Sequence, residues 1–195
     1  YYSAIFPFQK YAINMLQCNL HFSAADAGLV FFVFPLGAAA VTPFLGNYLD
    51  HKGKGASMLI LGAILMIVCH LVFAFVVTQS VVITLTAVIV LGISFSLVPA
   101  ALWPSVPKLI DEKLIGSAYA LIFWIQNIGL YAFPMIIGSV LSASNPGITD
   151  PLQYNYTIPM CVFASLGVMA LFLGFALKSL DKKKGYGLEA PNIQS

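Results

Sequence analysis

Residues 46–57 read GNYLDHKGKGAS. The chain on either side is almost purely apolar, VFFVFPLGAAAVTPFL at 30–45 and MLILGAILMIVCHLVFAFVV at 58–77. Between them stand one acid, two lysines, a histidine and three glycines. Gly53-Lys54-Gly55-Ala56-Ser57 has a superficial likeness to a phosphate loop. That motif requires G-x-x-x-x-G-K-[ST] after a soluble strand. Here no strand precedes it, and Gly55 and Ala56 do not supply its Lys-Ser/Thr pair. A tight, positively charged turn between two membrane spans accounts for the lysines and two of the glycines.

The composition supports that setting. The chain has 195 residues, 60% hydrophobic and 8% charged. A soluble domain carries about 25% charged residues. No water-soluble fold of this size hides so much apolar surface, so the chain is read as an integral membrane protein. All nine cationic residues are lysines. They are few and scattered, which gives no basis for nucleic-acid binding, and the bidentate arginine clamp for phosphate or carboxylate is missing. Cys18, Cys69 and Cys161 lie far apart without a CxxC and make no metal or redox motif. The chain lacks an initiator Met, and Tyr1 already lies in an apolar segment, without the charged n-region of a signal peptide. It reads as a piece of a longer protein.

A spanning helix needs about 20 apolar residues. Six segments qualify, at about 1–18, 25–47, 56–77, 81–103, 115–140 and 157–179. The runs are long and do not alternate. A lone segment in lipid must also satisfy its own backbone, so they are helices and the fold class is all-α. A tight turn at Thr78-Gln79-Ser80 separates spans three and four. Lys52, Lys54, Lys108, Lys113, Lys178, Lys182, Lys183 and Lys184 all fall at one end of the bundle, whereas the loops at the other end have none. The positive-inside rule assigns the first set, and the C-terminus, to the cytoplasm. Ser23 with Asp26 is a capping box opening span two. Asn145-Pro146-Gly147 is a turn signal, and Asn155-Tyr156-Thr157 is a glycosylation sequon on the non-cytoplasmic side. Residues 1–180 form the six-span bundle, and 181–195 (DKKKGYGLEAPNIQS) reads as a flexible cytoplasmic tail with an interfacial lysine cluster.

The spacing Gly46-x-x-x-Asp50-x-x-Gly53-Lys54 resembles the cytoplasmic signature of the major facilitator superfamily, which joins the second and third helices of each six-helix half. Gly46 then permits close helix approach and Gly53 the reversal. Asp50 accepts hydrogen bonds from a neighbouring helix N-terminus, latching that side. FPFQKYA, VPAALWPSVPKLIDEKLIGSAYALIFWIQNIG and DKKKGYGLE are similar to one branch, the "domain-containing protein 1" group known as lysosomal dipeptide transporters, with its bacterial relatives. The resemblance aligns the chain with a C-terminal half of a twelve-helix transporter. It implies an N-terminal six-helix half as partner, and a bacterial inner membrane or a lysosomal membrane as location. In a lysosome it further implies a glycosylated accessory subunit. The implied activity is secondary transport of a small organic solute such as a dipeptide, by alternating access about a midplane site. Another solute class (sugar, organic anion or drug) and a non-transporting scaffold stay open. The chain shows no enzyme signature, with neither G-x-S-x-G, H-E-x-x-H nor an intramembrane carboxylate pair. No cofactor or metal is expected.

The candidate substrate contacts are polar residues within spans. Ser3, Lys10, Asn14 and Gln17 recur at helical spacing on span one, and an ionisable group inside a span is a functional hypothesis. In the superfamily the first helix of each half lines the central cavity, so Lys10 is placed to bind a carboxylate or repel a cation, with Asn14 beside it. The alternative is that Lys10 snorkels to the interface. Trp124, Asn127 and Tyr131 share one face of span five and suit a peptide amide and a variable side chain. Their alternative is an aromatic stripe packed on a neighbouring helix. Gln126 is turned away from Trp124 but edges the same region. His70 reads as a packed, hydrogen-bonded histidine and Trp103 as part of the interfacial aromatic belt.

Overall fold

The structure, a computed structural model, describes residues 1–76 and 80–193. The expected turn at Thr78-Gln79 lies outside the described residues. Six helices follow in order: α1 Tyr2–Leu20, α2 Ala24–Lys52, α3 Gly55–Phe75, α4 Val81–Leu109, α5 Ile115–Ser144 and α6 Thr157–Lys184. No strand occurs among the described residues. Short 3-10 turns precede α5 at Glu112–Leu114 and α6 at Pro151–Gln153.

The helices match the six expected spans but overrun several of them. α4 continues six residues past Trp103, and α6 carries Lys182, Lys183 and Lys184 in its last turn. Hydrogen-bonded backbone need not stop where lipid stops, and lysines near the C-terminal end of a helix suit its dipole. α2 through α6 are each long and apolar enough to cross a membrane. α1, with 19 residues, rises about 28 Å, and since Ser3 meets Gly129 near the middle of α5, it runs beside the second half of that helix. Its polar stripe makes it less apolar than the rest.

Local sequence sets the ends. Ser23 Oγ accepts a 3.1 Å bond from Asp26 N–H, the N-cap half of the expected capping box, and donates 2.7 Å to Asp26 Oδ2, which takes the hydroxyl in place of the backbone N–H of a full box. Asn145-Pro146-Gly147 makes the expected turn, with Gly147 at φ 77° and Ile148 N–H donating to Asn145 O.

The broadest helix contacts pair α3 with α6, α2 with α4 and α3 with α4, whereas α5 leans mainly on α1. Gly167 and Gly174 let α6 approach Ile67 and Ile60 of α3. Small residues at such crossings are how membrane helices gain packing without a hydrophobic effect between them. Polar side chains bind across the crossings: Ser94 Oγ donates to Gly62 O (2.8 Å) and Ser96 Oγ to Ala38 O (3.0 Å). The core gathers Phe8, Met66, Phe73, Leu91, Ile137, Met160 and Phe163. His70 is fully buried in it, its Nδ1 2.8 Å from Met66 O and its ring among Phe8, Phe73 and Phe163, as its packed reading expects. α3 and α4 are the most buried helices. α5 buries only Ile137 and Leu141 among its residues.

The tail departs from expectation. α6 runs through 181–184, and the described residues after it, 185–193, fold back onto the turn between α2 and α3. Leu188 is buried there, with its N–H bound to Asp181 Oδ1 at 3.0 Å. Its polar composition suggested a free end. Apart from Asp181, the side-chain and backbone partners that seat it lie far away in sequence.

Candidate functional site

The first candidate surface is the face of α1 and α5 turned away from the core. α1 buries Ala4, Ile5, Phe8, Ala12, Met15 and Leu16 and leaves Phe6, Lys10 and Ile13 exposed. Tyr2, Phe6 and Lys10 recur every four residues, so they form one ridge. Lys10 has no hydrogen bond or ion pair to another described residue. Asn14 is engaged: its Oδ1 accepts a 2.5 Å bond from Tyr156 OH and a contact from Cys18 Sγ at 3.7 Å. That oxygen ties α1 to the start of α6 rather than standing free for a ligand.

α1 and α5 run side by side in the same direction. Ser3 sits on Gly129, while Tyr11 OH donates to Pro134 O at 2.8 Å and lies beside Gly138. This register sets the depth of the candidates. At 1.5 Å of rise per residue, Tyr131 lies about 8 Å along the axis from Lys10, Asn127 about 14 Å and Trp124 about 18 Å. Trp124, Asn127 and Tyr131 do share an exposed face, with Trp124 and Tyr131 64% and 74% accessible. Asn127 Nδ2 donates to Phe123 O on its own helix at 2.8 Å. The structure therefore brings Lys10 near Tyr131 but leaves Trp124 too deep to share a small ligand with Lys10. The aromatic-stripe alternative also changes: Trp124 and Tyr131 are both mostly exposed, and neither pairs with another aromatic ring among the described residues. Gln126 points the other way, its Oε1 buried without a hydrogen-bond partner.

Trp103 is not an isolated belt residue. It stacks on Phe123 (5.1 Å between centroids), packs on Tyr119 (5.8 Å) and lies 6.4 Å from Tyr2. Tyr2 stacks on Phe6 at 5.6 Å, and Phe6 meets Phe95 edge-on at 5.8 Å. These rings from α1, α4 and α5 form a continuous aromatic wall beneath Lys10. The sequence signal was the four-residue recurrence of Tyr2, Phe6 and Lys10. The α4 and α5 partners had no local signal.

One cleft of about 280 Å³ lies among α1, α3, α4, α5 and α6, lined by Ser3, Val98, Phe133, Met169 and others, and it is largely apolar. None of Lys10, Asn14, Trp124, Asn127 and Tyr131 lines it. Lys10, Trp124, Asn127 and Tyr131 are exposed on this chain, so a cavity containing them needs a second wall. Among the described residues no group of three or more His, Cys, Asp or Glu side chains is placed to hold a metal ion.

The second candidate surface is the GNYLDHKGKGAS turn. Gly46 faces open space, with nothing within 4 Å of a Cβ built on it. Among the described residues no helix makes the expected close approach at Gly46. α2 packs chiefly on α4, and the Gly46 side looks out of the bundle. Gly53 adopts φ 74°, the left-handed geometry expected of a reversal, and Lys54 follows at φ 69°. Among the described residues Asp50 meets no helix N-terminus. Its Oδ1 accepts a 2.9 Å bond from Asn192 Nδ2, and its carbonyl accepts from Ile193 N–H at 3.0 Å. Lys54 N–H donates to Glu189 O and Gly55 N–H to Leu188 O, each at 3.0 Å. Sequence reasoning missed Glu189 and Asn192, because nothing near them in the chain marks them as partners of the turn.

A family model described as Major Facilitator Superfamily matches residues 4–190. The chain is similar to the lysosomal dipeptide transporter MFSD1 of Danio rerio, 31% identical over 173 residues, covering 89% of this chain and 36% of that protein. It is likewise similar to the lysosomal dipeptide transporter MFSD1 of Homo sapiens, 30% identical over 143 residues, covering 73% of this chain and 30% of that protein. For Mus musculus the same-named protein is 29% identical over 143 residues, 73% of this chain and 30% of that protein. The chain spans about a third of the length of the curated relatives it matches.

Proposed function

The chain belongs to the Major Facilitator Superfamily and is an integral, multi-pass membrane protein, and from that premise we propose that it is the C-terminal six-helix half of a secondary transporter for a small organic solute. The solute class favoured is the dipeptide, which the names of its relatives carry. The observation that carries the reading is the outward-facing ridge of α1 and α5. Lys10 and Tyr131 stand there without a wall opposite them, about 8 Å apart in depth. An unpaired lysine within a span is costly unless it faces water or a ligand.

The missing wall is the N-terminal half. α2 buries only Ala27, Phe34, Ala38 and Leu49, and α5 only Ile137 and Leu141, so both leave wide faces for that half and for lipid. Lys10 supplies a counter-charge for a substrate carboxylate, and Tyr131 a ring and a hydroxyl near it. Asp50, with Gly46, Gly53 and Lys54, belongs to the turn whose arrangement differs between the two access states. The lysine-bearing end, including the C-terminus, is assigned to the cytoplasm. Alternating access then means rocking of this half against the other about the Lys10–Tyr131 level.

The test is uptake by the full-length protein reconstituted in lipid vesicles, comparing a dipeptide, its constituent amino acids and a sugar. Saturable uptake of the dipeptide alone is the expected result. Saturable sugar uptake without dipeptide uptake would move the protein to another solute class, and no uptake of any solute would remove the transporter reading.

A further inference from the structure

The start of α3 lacks the usual cap. Its N-cap residue is Lys54, whose side chain makes no capping bond. The first N–H groups of a helix have no partner within the helix and need acceptors from elsewhere. Here the acceptors come from the C-terminal segment, more than 130 positions away. Glu189 O takes Lys54 N–H, Leu188 O takes Gly55 N–H, and Glu189 Oε1 takes Ser57 N–H at 2.8 Å. Glu189 Oε2 also accepts from Ser57 Oγ at 2.7 Å. A carboxylate on these N–H groups is favoured by the helix dipole as well.

The same segment holds other helices. Lys108, near the end of α4, donates to Gly187 O (3.1 Å) and Ala190 O (2.9 Å). Asp181 in the last turn of α6 accepts from Leu188 N–H, and Lys178 donates to Ser57 Oγ at 2.6 Å. Asp50 at the end of α2 accepts from Asn192 and Ile193. Gly53 and Gly55 leave the room this needs. A Cβ on Gly53 would stand 2.4 Å from Glu189 O, and one on Gly55 would stand 2.9 Å from Leu188 O.

We propose that residues 187–193 are an intramolecular strap that caps α3 and ties the lysine-bearing ends of α2, α3, α4 and α6 into one block, with Glu189 as its anchor. α1 and α5 receive no hydrogen bond from the strap among the described residues. They are also the helices that carry the proposed substrate ridge. The strap therefore stiffens the part of the half that must move as a body and leaves the ridge helices outside it. By occupying Asp50, it also governs when that carboxylate is free for another partner. The second part of the proposal, that strap release sets the rate of the conformational step, rests on the transporter reading above.

The experiment measures amide hydrogen exchange in the full-length protein in lipid nanodiscs, alongside uptake. The variants are Glu189→Gln, Glu189→Ala and Gly55→Ala, the last keeping every strap residue and the Gly53 reversal but denying the strap its seat. The amides of Lys54, Gly55 and Ser57 are expected to be protected in the wild type. They should exchange at least about tenfold faster in Glu189→Ala and Gly55→Ala, with the middle of α3 unchanged and Glu189→Gln intermediate. Unprotected amides in the wild type, or equal exchange in Gly55→Ala, would overturn the strap. Altered exchange with turnover unchanged would leave a structural cap and overturn its rate-setting role. Because exchange is read without any substrate, the absence of uptake would count against the transporter reading and not against the strap.

Discussion

Ser57 Oγ and Glu189 Oε2 are 2.7 Å apart across 132 positions of the chain. That contact joins the opening turn to a stretch whose sequence gives no sign that it is the turn's partner. Gly53 and Gly55 thereby acquire a second reason to be glycine, beyond the reversal itself. The turn is shaped as a receptor for the end of its own chain as much as a connection between two helices.

Asp50→Asn is expected to preserve expression and folding, because the side-chain oxygen can still accept from Asn192 Nδ2. Only the charge is lost. Transport by the full-length protein should fall severalfold if that charge serves the turn in one access state. Normal uptake by Asp50→Asn would reduce GNYLDHKGKGAS to a positively charged turn.

Lys10→Ala should remove a charge-assisted contact worth about 1.5–3 kcal/mol, a loss of about 10- to 100-fold in affinity for a free-acid dipeptide. The loss should vanish for the C-terminal amide of the same dipeptide, which never used the charge. Binding titrations of both ligands to wild type and variant decide the matter. Equal losses for acid and amide would assign Lys10 to packing.

Depth along α1 and α5 gives a second expectation for the ridge. Lys10 and Tyr131, about 8 Å apart along the axis, should show coupled losses in a double-mutant cycle on dipeptide binding. Lys10 and Trp124, about 18 Å apart, should be additive within about 0.5 kcal/mol. Strong coupling of Lys10 with Trp124 would contradict the α1–α5 register.

Tyr156→Phe deletes the donor to Asn14 Oδ1. It should cost about 1 kcal/mol of stability, read as a lowered unfolding midpoint in detergent. Tyr131→Phe, at an exposed site, should stay within about 0.5 kcal/mol of wild type. A Tyr156→Phe protein as stable as wild type would show that the bond between α1 and the start of α6 is replaced by water.

Cysteines introduced at Lys52, Lys113 and Lys183 should react with an impermeant reagent from one side of the membrane, and one at Thr149 from the other. Reaction of any of the first three from the opposite side would break the six-span arrangement and the assignment of the C-terminus to the cytoplasm.

The sequence alone determined that the chain lies in a membrane, how many helices it makes and at which end the lysines gather. These follow from local quantities. Apolar length sets the helices, because lipid forces each segment to satisfy its own backbone, and Ser23 and Asp26 set a cap within three positions. Only the tertiary structure decided which polar residues are free. Asn14 and Lys10 lie on one helix and read alike, yet Tyr156 engages the first and no described residue engages the second. Only the structure also placed Trp103 against Tyr2 and Phe123, and Glu189 against Ser57. Each of these depends on the register of one helix against another. Register is set by Ser3 against Gly129 or a carbonyl against a glycine, contacts between residues that no local periodicity relates.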